Sequence, residues 1–207
     1  LFANSASSIV LQNKVHPFLN VDYRYDRGFV MGYAHNFSES NDHRFSIGAS
    51  VKYVTREGLD ETYSFFGPEL LNAIAASSSD INAIRKNLGY SKGSAWGGDL
   101  GVEYALGGKR GELIFAGSLM NAMGLHFTKS EGIGDVPDQE TMLNLGAAWR
   151  QDFTLFDYSL SFDLHPVNQP VDFGRKVHVG VQFGLPLVRV YGGWNGGYVS
   201  YGAGVDF

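Results

Sequence analysis

The sequence has no cysteine. That excludes a disulfide framework and thiol chemistry and leaves the compartment open. It has only 6 prolines, and only 18% of its residues are charged, against about 25% in ordinary soluble domains. No stretch approaches the roughly 18–20 uninterrupted apolar residues of a membrane-spanning helix. The opening LFANSASSIVLQNKV lacks a basic segment followed by an apolar one, so no signal peptide is visible. A net charge of −5 supplies no basic footprint for nucleic acid. There is no His-Glu-x-x-His pair, no phosphate-cradling glycine loop after a strand and no nucleophile elbow.

What is there is alternation. Ten segments repeat apolar residues with period two, at 18–26, 28–37, 44–55, 95–106, 112–120, 141–150, 154–165, 176–185, 187–195 and 198–207. Most have about the 9–11 residues that a tilted strand needs to cross a membrane. One stretch, GPELLNAIAASSSDINAIRKNLGY, instead spaces Leu70, Ile74, Ile81, Ile84 and Leu88 as a helix does, and its apolar stripe needs a surface to bury against. A helical insertion over 66–92 is expected.

Alternation alone does not say which face meets water. A soluble sheet turns its apolar face inward and covers the other with Lys, Glu and Thr. Here the other face reads Gly32, Ala34; Ser46, Gly48, Ser50; Gly97, Asp99, Gly101; Gly146, Ala148; Gly180, Gly184; Gly193; Gly202, Gly204. Glycine weakens a strand and exposes its backbone. Small residues suit a face turned into a narrow lumen, with the apolar face turned to lipid. A soluble β-fold with an unusual small-residue surface is the alternative.

The connections alternate too. With the C-terminus in the periplasm, the inner connections are SESND, GGKR, a turn at Gln151–Asp152 and one near Pro186. The outer ones include 56–94, 121–140 and 166–175, with tight turns at Arg27 and Gly196–Gly197. Short inner turns and long outer loops are the pattern of bacterial outer-membrane barrels. Aromatic residues gather at membrane interfaces. Tyr25, Phe29, Tyr53, Trp96, Trp194 and Tyr201 fall at the outer ends of the apolar stripe. Phe37, Phe45, Tyr104, Trp149, Phe156, Phe183 and Phe207 fall at the inner ends. The last strand, ending on Phe207, is expected to close the barrel against the first, since lipid cannot satisfy an open edge. Its terminal aromatic residue resembles the signature that barrel-assembly machinery reads.

The stretches SAWGGDLGVEYAL, GELIFAGSLMNAMG, FDYSLSFDLHP and RKVHVGVQFGLPLVRVYGGWNGGYVSYGAGVDF, with FANSASSIV near the start, resemble the FadL-like superfamily and, within it, the TraF-like and PorV-like barrels. That resemblance covers about half the chain. It implies an outer-membrane barrel handling hydrophobic molecules, with residues 1–16 as a plug-like segment inside. The family's barrels have about fourteen strands, where this chain offers ten.

The inward face carries Asp22, Arg24, Arg44, Lys52, Asp99 and Glu103. Further along it carries Glu112, Arg150, Asp157, Asp163, Lys176, Arg189 and Asp206. Seven acids against six bases argue for charge pairs filling the lumen rather than an ion-selective pore, and about ten strands leave little free width. His165 and His178 share the outer end of neighbouring strands with Asp163 and Lys176. No complete set of catalytic groups accompanies them, so they are expected to form a polar network. The loop KSEGIGDVPDQE places Glu131, Asp135, Asp138 and Glu140 together. It could hold Ca²⁺, or bridge cations to lipopolysaccharide, but matches no calcium-loop spacing and is expected to be a solvated acidic loop.

The expectation is a single all-β domain over 1–207: a closed antiparallel transmembrane β-barrel of about ten strands in the bacterial outer membrane. Its partners are lipid and lipopolysaccharide, the assembly machinery and a hydrophobic ligand. No nucleic acid, cofactor, metal or catalytic residue is expected. Passage or binding of a small or hydrophobic molecule competes with two alternatives, an anchor that displays its outer loops and a porin-like channel.

Overall fold

A computed structural model describes residues 1–12, 17–40, 42–64, 67–68, 72, 75, 89–108 and 110–205. Period-two alternation becomes strand almost everywhere it occurs. The elements are β1 (Phe2–Gln12), β2 (Phe18–Ser40), β3 (His43–Ser64), β4 (Ser91–Gly108), β5 (Gly111–Met120), β6 (Thr128–Gly132), β7 (Met142–Asp152), β8 (Asp157–Leu164), β9 (Val177–Gly184), β10 (Val188–Asn195) and β11 (Tyr198–Val205). One helical turn, α1 (Phe173–Lys176), precedes β9. The protein is all-β. Ten strands lie in one antiparallel path, β1-β2-β3-β4-β5-β7-β8-β9-β10-β11, and β6 pairs with β4 off that path.

Several expectations need correction. The segments 18–26 and 28–37 are one strand, β2, with no turn at Arg27. Gly28 is the cause of the misreading. It lies where a Cβ would run into the Tyr53 carbonyl of the neighbouring strand, so the glycine marks a close approach of backbones and not a reversal. Asp26, Gly28 and Gly32 keep the parity of Asp22 and Arg24, as an unbroken strand requires. Residues Phe2–Gln12 are not a plug. They pair with β2 from Phe2↔Gly28 to Gln12↔Phe18. The outer loop 121–140 supplies β6, whose pairs with β4 run from Ser91↔Gly132 to Ser94↔Thr128. Most of the helical insertion expected over 66–92 lies outside the described residues; Pro68, Asn72 and Ala75 within it are helical, and its last two positions already belong to β4. The sheet is not closed: among the described residues β11 pairs only with β10, and β1 only with β2.

The expected connections are kept only in part: Gln151 and Asp152 still belong to β7, so the turn expected there is displaced, and the expected loop 56–94 is shortened because β3 runs to Ser64 and β4 starts at Ser91. Phe153–Phe156 closes a turn through the Phe153 N–H donating to the Phe156 carbonyl at 2.8 Å, and Leu185 and Val188 close another at 2.7 Å. Gly196 and Gly197, at φ 58° and 105°, make the tight β10–β11 turn in a conformation that side chains resist.

The chain forms two compact units. Unit 1 comprises Leu1–Met31, Val51–Gly97 and Gly124–Glu140. It has an ordinary small core of Val54, Ala95 and Leu125, with Phe2 and Phe127 packed on it. Unit 2 comprises Gly32–Ser50, Gly98–Met123 and Thr141–Phe207. It has almost no core. Among its described apolar residues only Ala105 is buried, while Leu100, Val102, Leu113, Phe115, Leu145, Leu160, Phe162, Val179, Val181, Val190, Val199 and Val205 are all exposed.

Candidate functional site: the polar face of unit 2

Antiparallel partners point their side chains to one side of a sheet, so the registers sort unit 2 into two faces. From β5 across to β11 one row runs Ala116, Gly146, Asp163, His178, Asn195 and Tyr198. Another runs Ala148, Ser161, Gly180, Gly193 and Ser200. The glycines of this face have a local cause. A Cβ on Gly146 would sit 2.5 Å from Asp163 Oδ1, and one on Gly180 would sit 2.6 Å from Ser161 Oγ. Gly184 lies against the Asp157 carboxylate in the same way. Each small residue leaves room for the polar side chain of its partner strand to lie across it. At these three positions the small residue has a cause between neighbouring strands; Gly48 lies against Ala34, and a Cβ on Gly101 would meet nothing nearer than 3.9 Å.

Eleven of the thirteen inward charges lie on strands of the sheet with the expected parity. Arg24 Nε lies 3.3 Å from Asp22 Oδ1. Arg44 Nη2 reaches Glu103 at 3.3 Å and Glu112 at 3.1 Å. Asp99 accepts from Ser50 Oγ and from the Asn121 N–H, both at 2.9 Å. Lys52 is buried on β3. Arg150 lies opposite Glu112 and Ser159, so Glu103 has Arg44 as its partner. Asp157 lies opposite Asp152 and Gly184, and Asp163 opposite Gly146 and His178. Arg189 lies between Gly184 and Gly204. Lys176 departs from the pattern: it belongs to α1 and donates to the Val167 carbonyl at 3.1 Å. Asp206 and Phe207 lie outside the described residues.

The expected girdle sits on the opposite face. In unit 1 Phe29, Tyr53 and Trp96 form one aromatic cluster, with centroids 5.0–5.8 Å apart. Tyr25, on the same strand as Phe29, lies opposite Ser5 of β1. In unit 2 Phe37 meets Phe45, Trp149 meets Tyr158 and Phe156 meets Phe183. His43 and Tyr104 share a 2.9 Å hydrogen bond. Trp194 and Tyr201 are exposed on the same face.

The polar face is hollowed around two histidines. The rings of His165 and His178 stack with centroids 3.9 Å apart and planes 6° from parallel. His178 Nδ1 lies 2.6 Å from Asn195 Oδ1, which suits an Nδ1–H donor and leaves Nε2 as an acceptor; among the described residues that buried Nε2 has no partner. A groove of about 590 Å³ carries Ser159, Ser161, Gln182, Tyr191 and Ser200 beside Asp163 and the histidines. A second hollow, of about 140 Å³, lies toward Ser118 and Asn144 and shares Asp163 and His165. The lining can hydrogen-bond a small polar solute. Among the described residues no three His, Asp or Glu side chains converge as a metal requires. The sequence pointed to both histidines and Asp163 but missed Asn195. Its signal was its place at the outer end of β10, with the parity of Gly193.

Arg44 offers a modest test. It and Glu103 are each 41% exposed, so solvent screens the pair and it contributes about 1 kcal/mol or less. In thermal melts a double-mutant cycle of Arg44→Gln with Glu103→Gln is expected to return a coupling of that size, whereas Arg44→Gln alone also removes the ion-pair partner of Glu112, whose side chain is only 15% exposed.

Unit 1 is held differently. The Arg56 side chain is 4% exposed. Its Nε and Nη2 donate to the two Asp26 carboxylate oxygens at 2.7 Å each, and Nη1 donates to the Pro137 carbonyl at 2.7 Å. Its guanidinium carbon lies 4.5 Å from the centre of the Phe127 ring. Both ion-pair partners were missed, because Asp26 fell beside the supposed turn and Arg56 in the supposed loop.

The loop carrying Glu131, Asp135, Asp138 and Glu140 is pinned at Asp138, which faces His126 Nδ1 at 2.7 Å and accepts the Phe127 N–H at 2.9 Å. The histidine hydrogen bond, then the backbone one, hold its carboxyl below the ordinary 3.8, against a smaller opposing effect of burial. A depressed folded pKa contributes stability above the unfolded value, and that stability is lost as pH falls through the folded value. Hydrogen exchange over 125–140 is therefore expected to quicken only below about pH 3.8, and Asp138→Asn to remove that acid step. No family model, curated protein or solved structure matches this chain.

Proposed function

We propose that this chain is a bacterial outer-membrane β-barrel protein whose apolar sheet face meets lipid and whose polar face lines a narrow interior that binds or passes a small molecule. The observation that carries the reading is the inversion in unit 2: its large apolar residues are exposed and almost none is buried. Water would not tolerate so wide an apolar surface, since the largest patch on a typical soluble monomer covers about 300–600 Å². Lipid would. The aromatic residues support the same reading, because Phe29 and Phe37, Phe45 and Tyr53, and Trp96 and Tyr104 each stand eight positions apart on one strand. Eight steps span about 27 Å along a strand, which at the 35–45° tilt of outer-membrane strands is roughly 19–22 Å of height, within an apolar band about 25 Å tall.

Membrane location, a partnership with lipid, lipopolysaccharide and assembly machinery, and kinship with FadL-like barrels belong to this proposal. The groove at His165 and His178 favours a small polar solute, whereas the resemblance implies a hydrophobic one. A second reading, an anchor displaying its outer segments, draws on unit 1, which has its own core and its own buried ion pair. The purified chain is expected to need detergent or lipid, to run faster on a gel when unboiled, and to pass little current in a planar bilayer. A monodisperse detergent-free preparation would end the membrane reading. Large, steady conductance would replace the narrow interior with a diffusion pore.

A further inference from the structure

The edges of unit 2 carry an inference that rests on the membrane reading. From β2 to β11 the path has nine strands, each antiparallel to the next. The first and last of an odd series point the same way. Joining β2 directly to β11 would therefore make a parallel seam, where bacterial outer-membrane barrels have even, antiparallel series. A second copy does not cure this. Copies related about the membrane normal keep every strand's direction, so the β2 of one would meet the β11 of the other in parallel as well.

Both edges are bare. β1 covers β2 only as far as Gly28, opposite Phe2. Met31 and Tyr33 beyond it are 73% and 74% exposed, and Val199 and Tyr201 on β11 are 73% and 91% exposed, against 46% for Val181 inside the sheet. Lipid leaves no water to satisfy such edges.

We propose that the two edges are bridged by one further strand, antiparallel to both, that continues β1 on its N-terminal side. The register is already set. With Phe2 opposite Gly28, Leu1 comes opposite Phe29, and eight residues upstream of Leu1 come opposite Val30–Phe37. Such a strand carries apolar residues opposite Met31 and Tyr33 and small ones opposite Gly32 and Ala34.

The absence of cysteine makes the test direct. In the chain as it stands, Ala34→Cys is combined in turn with Ser200→Cys, Gly202→Cys and Gly204→Cys. A Cβ at Gly202 or Gly204 meets nothing nearer than 3.7 Å. A disulfide needs Cα atoms within about 7 Å, and an intervening strand holds them roughly 9.5 Å apart. In a second protein, eight alternating residues precede Leu1, with a cysteine at the fifth upstream, opposite Ala34. The expected result, in detergent, is no β2–β11 disulfide in the first set, and disulfides from the added strand to Ala34→Cys and to a β11 cysteine in the second. A β2–β11 disulfide within one chain would overturn the proposal in favour of parallel closure, and one between chains in favour of a second copy. An added strand that joins neither edge, joins only β2, or abolishes insertion of a chain that otherwise inserts would also overturn it. A chain that stays monodisperse without detergent would remove the membrane reading, and this proposal with it.

Discussion

Arg56→Ala is expected to open unit 1 and to cost about 3–5 kcal/mol, the range for removing one partner of a buried ion pair. The size follows from what stays behind. The Asp26 carboxylate loses both of its 2.7 Å donors, the Pro137 carbonyl loses its donor, and Phe127 loses the cation over its ring. The Asp26 side chain is only 18% exposed, so water replaces little of this. Asp26→Ala is expected to do comparable harm by stranding the guanidinium. Replacing both, as Arg56→Met with Asp26→Leu, is expected to recover most of the loss, because the charge left unpaired is the larger cost. Hydrogen exchange resolves the effect by segment: protection should fall over 51–60 and 124–140 while β7 to β10 keep theirs. Uniform loss across the sheet, or none, would contradict a local pin.

Val181→Arg is expected to block insertion or to destabilise the inserted protein by about 2–4 kcal/mol, the range for arginine at the bilayer midplane of a barrel. Val181 is 46% exposed, lies between Leu160 and Gly192, and stands two positions from the girdle residue Phe183. Its chain neighbour Gln182 points by alternation to the opposite face, where it lies between Ser159 and Tyr191. Gln182→Arg is therefore expected to cost little stability, although it adds the same charge one residue away. The contrast decides between environments. A sheet with its apolar face in water would accept arginine at 181 as readily as at 182. Detergent-folding yield and the unboiled gel shift of the two variants measure it.

Much of this molecule was legible because a strand writes its two faces into alternate residues. Asp163, Gly146 and His178 share a face by parity, and their pairing needed only that neighbouring strands run antiparallel. The inverted pattern, small and polar against broadly apolar, was equally local. So was the tightness of the connection at Gly196–Gly197, where the backbone takes positive φ values that favour glycine. The histidine pair was visible because both residues close the same end of adjacent segments.

The rest depended on distance. Whether Gly28 bends the chain or admits a neighbouring carbonyl is decided by Tyr53, twenty-five residues away, and nothing in the local string separates the two. The alternation of 2–12 is weak, and only its eleven pairs with β2 make it a strand. Arg56 looked like a loop residue until Asp26 and Pro137, from two other stretches of chain, converged on it. Periodicity set which way each side chain points, since that follows from the backbone of a single strand. Strand count, register and the state of the sheet's edges came only with the tertiary structure, because each is a relation between segments whose pairing energy no single segment contains.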